Sequence, residues 1–417
     1  MAEEIWQRLS SVRVLDITNE RGFLCGKILA DLGADVIKIE PPGGDRARNI
    51  GPFYKAILHP EKSLFWFSYN ANKRGITLNL KKEEGRNLLR KLAKQTDILI
   101  ESFPPGKMKQ WVLDYEDLSK INPGLIYTSI TPFGRTGPYK DYKETDLIMM
   151  AMGGPLFLTG DPDRPPVQIG YPQAYLHGGA EAAVATLMAL YHRELSGEGQ
   201  LVDLSIQQSL LTSTFQTPAT WYLNQEILPR MGTERAIGPG FHMPVVWPCK
   251  DGYVNFTVLG GVPGRKTMGA LAKWMEEEEM GDEFISQTDW GSFDFYGLTT
   301  EIVARTVEPI THFFMHHTKA EIFQEFIRRG AMVFPVTTSE DIARSSHLAE
   351  KGFWQEVEHP ELRERISYPS PPFRINEEYP PIRRRAPLIG EHNEEIYKGL
   401  LNLSQKELIL LKEEGII

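Results

Sequence analysis

Near the start of the chain, a glycine-rich loop with two arginines has the residue types that could bind a ligand. This loop, Pro41–Arg48, reads PPGGDRAR and follows a predicted strand. Glycine backbone N–H groups and the guanidinium groups of Arg46 and Arg48 suit a phosphate or a nucleotide. A tight turn with solvated arginines would have the same sequence. The segment therefore predicts an anionic-ligand site but leaves the simple turn open.

Two further segments could contribute to such a site. Lys73 and Arg74 stand immediately before a predicted strand, where they would also suit a solvated corner. The segment Leu259–Arg265, LGGVPGR, could be a mobile glycine loop or only a strand-to-helix turn. The sequence contains no G-x-G-x-x-G after its first strand, no G-x-x-x-x-G-K-[ST] and no G-x-S-x-G. No group of His, Asp and Glu has metal-ligand spacing, so no metal is expected.

Strands that alternate with helices must position these residues. Such alternation indicates an α/β fold with a mostly parallel sheet that is covered on both faces. Ligands in these folds bind in the loops beyond the carboxyl ends of the strands. The predicted strands are Val12–Ile17, Asp35–Glu40, Gly75–Leu80, Asp97–Ser102 and Leu125–Ile130, and the helices between them are Leu24–Leu32 and Lys82–Thr96.

The rest of the chain differs from this region in composition and in its predicted elements. A long helix is predicted at Leu176–Leu195, and one apolar helix at Gln207–Tyr222. Residues 225–330 are predicted to form a second, smaller α/β domain, with a hairpin at 252–261. Residues 331–417 are rich in Pro and Arg and are predicted to return to the first domain, residues 1–224, or to a partner.

Composition excludes several classes of protein. The 417 residues carry 46 Lys and Arg against 55 Asp and Glu, a net charge of −9, which argues against a nucleic-acid binder. Cys25 and Cys249 are too few for a disulfide framework or a thiolate zinc site. With no apolar signal segment and no apolar stretch long enough to span a membrane, the sequence predicts a soluble, cytoplasmic protein of more than one domain.

Eight segments together resemble the class III CoA-transferases, the superfamily of formyl-CoA transferase and carnitine CoA-transferase. They stand in family order from about residue 12 to 397, which is nearly the whole chain. The segments are VLDIT, LADLGADVIKIEPPGGD, NANKRGITLNL, DILIESFPPG, INPGLIYTSITPFGRTGPY, HRELSGEGQLVDLSI, PCKDGYVNF and RRRAPLIGEHNEEI.

The resemblance implies a known architecture and a CoA site. A Rossmann-like large domain is built from both chain ends, a small domain lies between them, and two chains interlock. Gly260 and Gly261 would form a glycine loop over the active site. CoA or acyl-CoA would be a substrate, with no permanently bound cofactor. The residues implied at the CoA site are Arg21, Lys73, Arg74, Leu78, Asn79, Leu80, Lys81, Ser102, Phe103, Lys143, Glu144, Thr145 and Asp146.

The chain departs from this family at the nucleophile. The family places an aspartate at the start of the long helix, in the pattern P-V-x-V-G-x-P-x-x-D-L-x-x-G, and its carboxylate carries the acyl group as a mixed anhydride. Pro166–Gly179 keeps this pattern without a gap, but Tyr175 stands at the aspartate position. A phenol with a pKa of ~10 stays protonated and could form only an ester. Glu181, almost two helical turns further on, is a weak alternative nucleophile.

Smaller departures affect the predicted CoA site. Pro41 and Gln110 stand where relatives often have basic residues, and Lys107 and Lys109 are close enough in sequence to compensate in part. The racemase branch pairs the aspartate with a His at the position of Thr145, so both of its bases are absent and a racemase is disfavoured.

Three hypotheses remain open. In the first, the chain is a non-catalytic subunit that supports an aspartate-bearing paralogue, resembling the benzylsuccinate CoA-transferase type, and the complex moves CoA from an acyl-CoA such as succinyl-CoA to a carboxylic acid. In the second, it is an active homodimer that uses Glu181 or Asp146. In the third, it binds CoA thioesters without turnover. No hypothesis involves nucleic acid or a membrane.

Overall fold

The computed structural model describes residues 9–238 and 240–417, which form two compact units. The first unit contains the chain up to Leu156, Gln168–Glu226 and His347–Ile417. The second contains Phe157–Val167 and Ile227–Ser346. These bounds differ from the predicted ranges at residues 157–167 and 331–346, both of which belong to the second unit.

Local hydrogen bonds explain both differences. The Arg230 side chain donates to the carbonyl oxygens of Phe157 and Asp161, at 3.1 and 3.2 Å, which ties residues 157–167 to the second unit. The Val336 N–H donates to the Tyr253 carbonyl at 2.9 Å and holds the later segment there as well. Neither contact could be read from a change in composition.

A six-stranded, fully parallel sheet forms the centre of the first unit. Its strands are β1 (Arg13–Ile17), β2 (Asp35–Glu40), β3 (Arg74–Thr77), β4 (Ile98–Glu101), β5 (Ile126–Thr131) and β6 (Leu201–Ser205). They lie in the order β3-β2-β1-β4-β5-β6. This is the strand order of a doubly wound Rossmann sheet, whose ligand crevice lies where the order reverses, next to β1. The predicted α/β class with a parallel sheet is confirmed.

Neighbouring residues of each strand enter two different cores, because side chains alternate across a sheet. Leu15 and Leu99 are paired in register and lie in one core, while Val14 and Ile98 are paired in register and lie in the other. All four are fully buried. The buried apolar residues of β1 and β4 are therefore divided between the two cores.

The C-terminal residues complete the first of these cores. Tyr397, fully buried, packs in the same cluster as Leu15 and donates its hydroxyl to the Thr77 carbonyl at 2.7 Å. The Asn393 side chain accepts from the Thr77 N–H at 2.8 Å, so that the end of the edge strand β3 is hydrogen-bonded. The first unit is thus built from both ends of the chain.

The remaining bounds complete the description. In the first unit a two-stranded antiparallel sheet pairs Trp354–His359 with Glu364–Pro369. In the second unit Glu234–Gly238 pairs with Phe241–Pro244, and a three-stranded sheet contains Val246–Cys249, Gly252–Asn255 and Phe334–Pro335. The helices are Phe23–Asp31, Leu64–Asn70, Glu83–Ala93, Lys107–Gln110, Tyr115–Leu118, Asp146–Met152, Pro155–Leu158, Ala174–Ser196, Ile206–Thr212, Gln216–Asn224, Gly261–Glu277, Glu283–Gln287, Thr300–Met315, Lys319–Arg328, Ser339–Ala343, Ser346–Glu350, Asn393–Leu401 and Gln405–Glu413, with short 3₁₀ turns at Arg46–Asn49, Tyr54–Ala56 and Pro60–Lys62.

Two local predictions were wrong. The single helix predicted at 207–222 is two helices, Ile206–Thr212 and Gln216–Asn224. The hairpin predicted at 252–261 is one strand, Gly252–Asn255, whose antiparallel partner Val246–Cys249 precedes it. Within the described residues no helix is long and apolar enough to cross a membrane.

Candidate active site

A buried charge cluster fixes the loop that follows β1. The Asp16 carboxylate accepts from Lys73 Nζ at 2.8 Å, from Lys38 Nζ at 3.4 Å and from the Thr18 N–H at 3.0 Å. Burial alone would raise the pKa of Asp16, but the two ammonium groups outweigh it and the pKa lies below its ordinary value. The loop that carries Arg21 therefore starts from a fully hydrogen-bonded carboxylate.

The loops after β1 and β4 are joined by a reciprocal pair of hydrogen bonds. The Asn19 N–H donates to Ser102 Oγ, and the Ser102 hydroxyl donates to Asn19 Oδ1, both at 2.9 Å. The same Asn19 oxygen accepts from the Arg21 N–H at 3.2 Å. Because β1 and β4 are adjacent in the sheet, this pair aligns the two loops at the point where the strand order reverses.

A cavity of about 360 Å³ opens beside these loops and is called the basic cavity. It contains five of the residues predicted at the CoA site. Three of its residues are cations, which suits a ligand with phosphate groups. Its lining residues are Arg21, Ser102, Phe103, Pro104, Pro105, Pro132, Lys140, Asp141, Tyr142, Lys143 and Glu144.

Sequence reasoning missed Lys140, Asp141 and Tyr142 in this lining. Their segment, residues 139–143, reads YKDYK, in which each lysine directly follows a tyrosine. Basic residues beside aromatic ones are a signal that a search for phosphate or base contacts could have used. The rings of Tyr139 and Tyr142 are stacked, with their centroids 5.0 Å apart.

Tyr175, which the resemblance aligned with the family aspartate, is hydrogen-bonded to a buried carboxylate. Its hydroxyl donates to Glu144 Oε2 at 2.7 Å, and the Arg21 guanidinium forms an ion pair with the other oxygen of Glu144. The Glu144 side chain is completely buried. Burial and this hydrogen bond raise the pKa of Tyr175 above its ordinary value. The hydroxyl is therefore neutral at neutral pH, with its proton directed at Glu144.

Asp146 caps the N-terminus of the long helix, Ala174–Ser196. Its Oδ1 accepts from the Ala174 N–H at 2.7 Å. Burial raises the pKa of Asp146, and the backbone N–H groups of Ala174, Tyr175 and Gln173 oppose that rise. Glu181, the other alternative carboxylate, lies further along the same helix and is partly buried.

Several predicted CoA-site residues lie elsewhere in the first unit. Lys73 is fully buried, and its ammonium donates to Asp16, to the Phe23 carbonyl and to Asn70. The Arg74 guanidinium pairs with Asp35 at 2.6 Å. Leu78 and Leu80 are buried in the core, Asn79 donates to the Gly415 carbonyl at 3.0 Å, Lys81 is exposed, and Thr145 caps the helix Asp146–Met152.

The glycine-rich loop after β2 binds a carboxylate of the protein itself. Arg48 is completely buried, forms two hydrogen bonds with Glu40 at 2.6 and 2.7 Å, and lies 3.8 Å from the centre of the Trp66 ring. Arg46 and Pro41 are exposed. All the partners of Arg48 thus belong to the protein itself, so this arginine is neither the free phosphate ligand nor the solvated turn residue that the sequence suggested.

Three side chains near the turn after β4 pair with one another or with a neighbouring residue. Gln110 Oε1 accepts from Lys107 at 3.0 Å, and Lys109 lies 3.5 Å from Glu116. In the second unit, Gly260 caps the helix Gly261–Glu277, and Gly261 has φ +68°, a left-handed conformation that favours glycine. In the described part of the chain, no group of His, Cys, Asp and Glu is arranged to hold a metal ion.

Comparison with known proteins places this geometry in a family. The sequence model of CoA-transferase family III matches residues 9–393. The succinyl-CoA:(R)-benzylsuccinate CoA-transferase subunit BbsE of Thauera aromatica is 35% identical, with 94% of this chain and 93% of that protein covered. The succinyl-CoA–D-citramalate CoA-transferase of Chloroflexus aurantiacus is 31% identical, with 98% of both covered. A CAIB/BAIF family protein from Brucella suis has a similar crystal structure, with a TM-score of 0.81, 27% identity, and 94% of this chain and 99% of that chain covered.

Proposed function

Since this chain belongs to CoA-transferase family III, we propose that it is the non-catalytic subunit of a heteromeric CoA-transferase. The complex moves CoA from an acyl-CoA such as succinyl-CoA to a carboxylic acid, and an aspartate of the paralogous subunit carries the acyl group. Both curated relatives described above have succinyl-CoA in their names, and one of them is itself named as a subunit.

The hydrogen bond from Tyr175 to Glu144 is the observation that carries this proposal. The family's acyl carrier is a carboxylate that forms a mixed anhydride, whereas a phenol that took up the acyl group could form only an ester, which is not activated for transfer to an acid. Glu144 itself is fully buried and is held on both sides, by Tyr175 and by Arg21. No unprotonated, exposed oxygen is thus offered by either partner of this hydrogen bond.

The alternative of an active homodimer has less support. Asp146 accepts backbone hydrogen bonds at the start of the long helix, so an attack on a thioester would uncap that helix. Glu181 lies six residues after Tyr175 in the long helix, which is almost two turns, or about 9 Å along the helix axis. Neither carboxylate occupies the position where the family has its aspartate.

The proposed chain keeps the means to bind CoA. Arg21, Lys140 and Lys143 line one cavity at the point where the strand order of the sheet reverses. A CoA-binding protein without turnover would have the same cavity. The two hypotheses differ in whether CoA transfer requires this chain together with a second chain. An interlocked dimer with the paralogue would explain why a chain without a nucleophile is retained.

Isotope exchange between labelled succinate and succinyl-CoA tests the proposal. The purified chain is expected to show no exchange above background, and the chain assembled with an aspartate-bearing paralogue is expected to show exchange. Exchange by the chain alone would contradict the proposal. Full activity of the paralogue without this chain would contradict it equally, because the chain would then be dispensable.

A further inference from the structure

A second cavity of about 360 Å³ lies on the other side of Tyr175 and is called the aromatic cavity. Its volume is within the range of small-molecule sites. Its wall comes from the loop after β1, the segment before the helix Leu64–Asn70, that helix, and the start of the long helix. The lining residues are Glu20, Leu24, Ile50, Gly51, Pro52, Phe65, Tyr69, Gly170, Tyr171, Pro172, Tyr175 and Leu176.

The lining of the aromatic cavity is hydrocarbon with a few hydroxyl groups. Phe65 and Tyr69 lie with their ring centroids 4.9 Å apart, and the hydroxyl oxygens of Tyr69 and Tyr171 are 3.3 Å apart. Burial and this contact raise the pKa of Tyr69, so its hydroxyl stays neutral. Aromatic rings bind apolar groups by burying a large apolar surface, and the preferred edge-to-face and offset-stacked contacts of the rings orient a bound aromatic group.

The charges around the aromatic cavity exclude one class of occupant. No Lys, Arg or His belongs to its lining among the residues that the structure describes, and its one ionisable acid is Glu20. A carboxylate that entered the cavity would lose its hydration without gaining a cation. The basic cavity, by contrast, has Arg21, Lys140 and Lys143 in its wall.

A hydrogen bond connects the walls of the two cavities. Tyr175 belongs to the wall of the aromatic cavity, Glu144 belongs to the wall of the basic cavity, and the two are 2.7 Å apart. A thioester whose CoA part occupies the basic cavity would therefore have its acyl end directed towards the aromatic cavity.

We infer that the aromatic cavity binds the hydrocarbon part of an acyl group, aromatic or branched, whose end within the cavity carries no charge. The inference rests on the proposed function for the presence of an acyl-CoA, and it adds the class of acyl group that this chain selects. A dicarboxylic acyl group such as succinyl, with its distal carboxylate, is a poor occupant of this cavity. The chain thus contributes acyl-group selectivity to the complex without contributing the nucleophile.

Calorimetric titration of the full-length chain with three probes tests the inference. The probes are CoA, succinyl-CoA and 3-phenylpropanoyl-CoA. The expected result is that 3-phenylpropanoyl-CoA binds at least about tenfold more tightly than the other two, which requires burial of only about 60 Å² of apolar surface. Equal affinities, a preference for succinyl-CoA, or no binding of any probe would overturn the inference.

Two variants locate the preference in the cavity. Phe65→Ala removes a ring from the wall, and Ile50→Asp places a carboxylate at a lining position that is 36% exposed. Both are expected to lower the affinity for 3-phenylpropanoyl-CoA about tenfold and to change that for CoA less than twofold. Tyr222→Ala, at an exposed position outside the lining, is the matched control. A preference that persists in both variants would contradict the assignment.

Failure here is distinguishable from failure of the proposed function. Isotope exchange by the complex does not depend on which thioester this chain prefers. Exchange that requires both chains, combined with equal affinity for the three probes, would overturn only the acyl-group inference. Exchange by the chain alone, combined with the expected preference, would overturn only the non-catalytic role.

Discussion

Under the proposed function, Tyr175 has a hydroxyl hydrogen at the position where the family has an unprotonated carboxylate. The hydrogen is donated to Glu144, whose second oxygen is paired with Arg21, so three side chains form one closed network. A buried network of this kind stabilises the fold when all its members are paired. Tyr175 is therefore interpreted as a structural replacement for a nucleophile, and its removal should affect stability rather than turnover.

Tyr175→Phe tests that interpretation. The variant keeps the ring and removes one donor from a buried carboxylate, so the free energy of unfolding should fall by about 1–3 kcal/mol. Isotope exchange by the assembled complex should stay within about twofold of the wild type. Urea denaturation and exchange assays give the two values, with Tyr222→Phe, which is 80% exposed, as the control. A loss of exchange by orders of magnitude with stability unchanged would contradict the structural role.

Glu101, at the end of β4, makes stability depend on pH. Burial raises the pKa of Glu101 to about 7, although Ser129 and the Phe103 N–H stabilise its charged form. The unfolded carboxyl ionises near its ordinary pKa of 4.5, so the folded state holds the extra proton between these values. The contribution of Glu101 to stability is therefore complete below about pH 4.5 and is lost as the pH rises towards 7.

Glu101→Gln removes this dependence. The free energy of unfolding of the wild type, relative to that of the variant, should fall by about 3 kcal/mol between pH 4.5 and pH 7 and should be constant above that range. Urea denaturation of both proteins across this range measures the difference. Glu84→Gln, at an exposed position, is the control and should show no such trend. A constant difference between wild type and Glu101→Gln would show that the carboxyl titrates normally.

At the scale of elements, the start of the long helix depends on a residue from another loop. Asp146 accepts the Ala174 N–H and supplies negative charge at a helix N-terminus. Asp146→Ala should lower the free energy of unfolding by about 1–2 kcal/mol, and Asp146→Asn should lower it less because the amide oxygen still accepts. Asp141→Ala, at an exposed position nearby, is the control. Loss of exchange by the complex in Asp146→Asn, with stability retained, would instead favour Asp146 as a nucleophile.

The elements were predictable where hydrophobic pattern decides them. Asp35–Glu40 was predicted with the bounds that the structure has, because a buried β-branched run next to a glycine turn permits few alternatives. The resemblance implied that Lys73 binds the ligand, but the sequence does not reveal that its ammonium group is paired with a carboxylate of the protein. Asp16 is separated from Lys73 by 57 positions, and only the sheet brings the two together. The same applies to Arg48, whose partner Glu40 lies across a turn.

The candidate site was predictable in outline for a similar reason. Arg21, Ser102 and Glu144 were expected together because the family resemblance implied a CoA site there, which fits the rule that ligands bind beyond the carboxyl ends of parallel strands. The aromatic cavity was not expected, because Phe65 and Tyr69 belong to a short helix whose apolar pattern is also that of an ordinary core helix. Which of its faces lines a cavity is decided by packing against Leu24 and Tyr171, and this depends on the whole fold.

At the scale of the whole molecule, the outer face of the long helix carries an apolar stripe. Val184, Met188, Tyr191 and Leu195 recur at intervals of four, three and four residues, and each is more than half exposed. This spacing places them on one seam, as in helices that pack against another helix. A stripe of this kind on an isolated chain is typical of a partner surface. We expect this stripe to contact the paralogue in the proposed complex.

Met188→Glu should weaken that contact without unfolding the chain. A carboxylate at an exposed position has little effect on the stability of the isolated chain. In the complex the same carboxylate would be buried without a partner, which disfavours association. We expect the fraction of this chain that assembles with the co-expressed paralogue to fall at least tenfold, measured by sedimentation velocity, with the unfolding midpoint of the isolated chain unchanged. Glu198→Gln, exposed beyond the helix end, serves as a control. Unchanged association in the Met188→Glu variant would place the paralogue on another surface.

The central claim is that this chain takes part in CoA transfer without carrying the acyl group. Hydroxylamine trapping of the assembled complex during turnover with succinyl-CoA, followed by peptide mapping of both chains by mass spectrometry, tests it most directly. We expect a hydroxamate on one aspartate of the paralogue and none on this chain. A hydroxamate on Glu144, Asp146 or Glu181 would contradict it and would identify the carboxylate that replaces the missing aspartate.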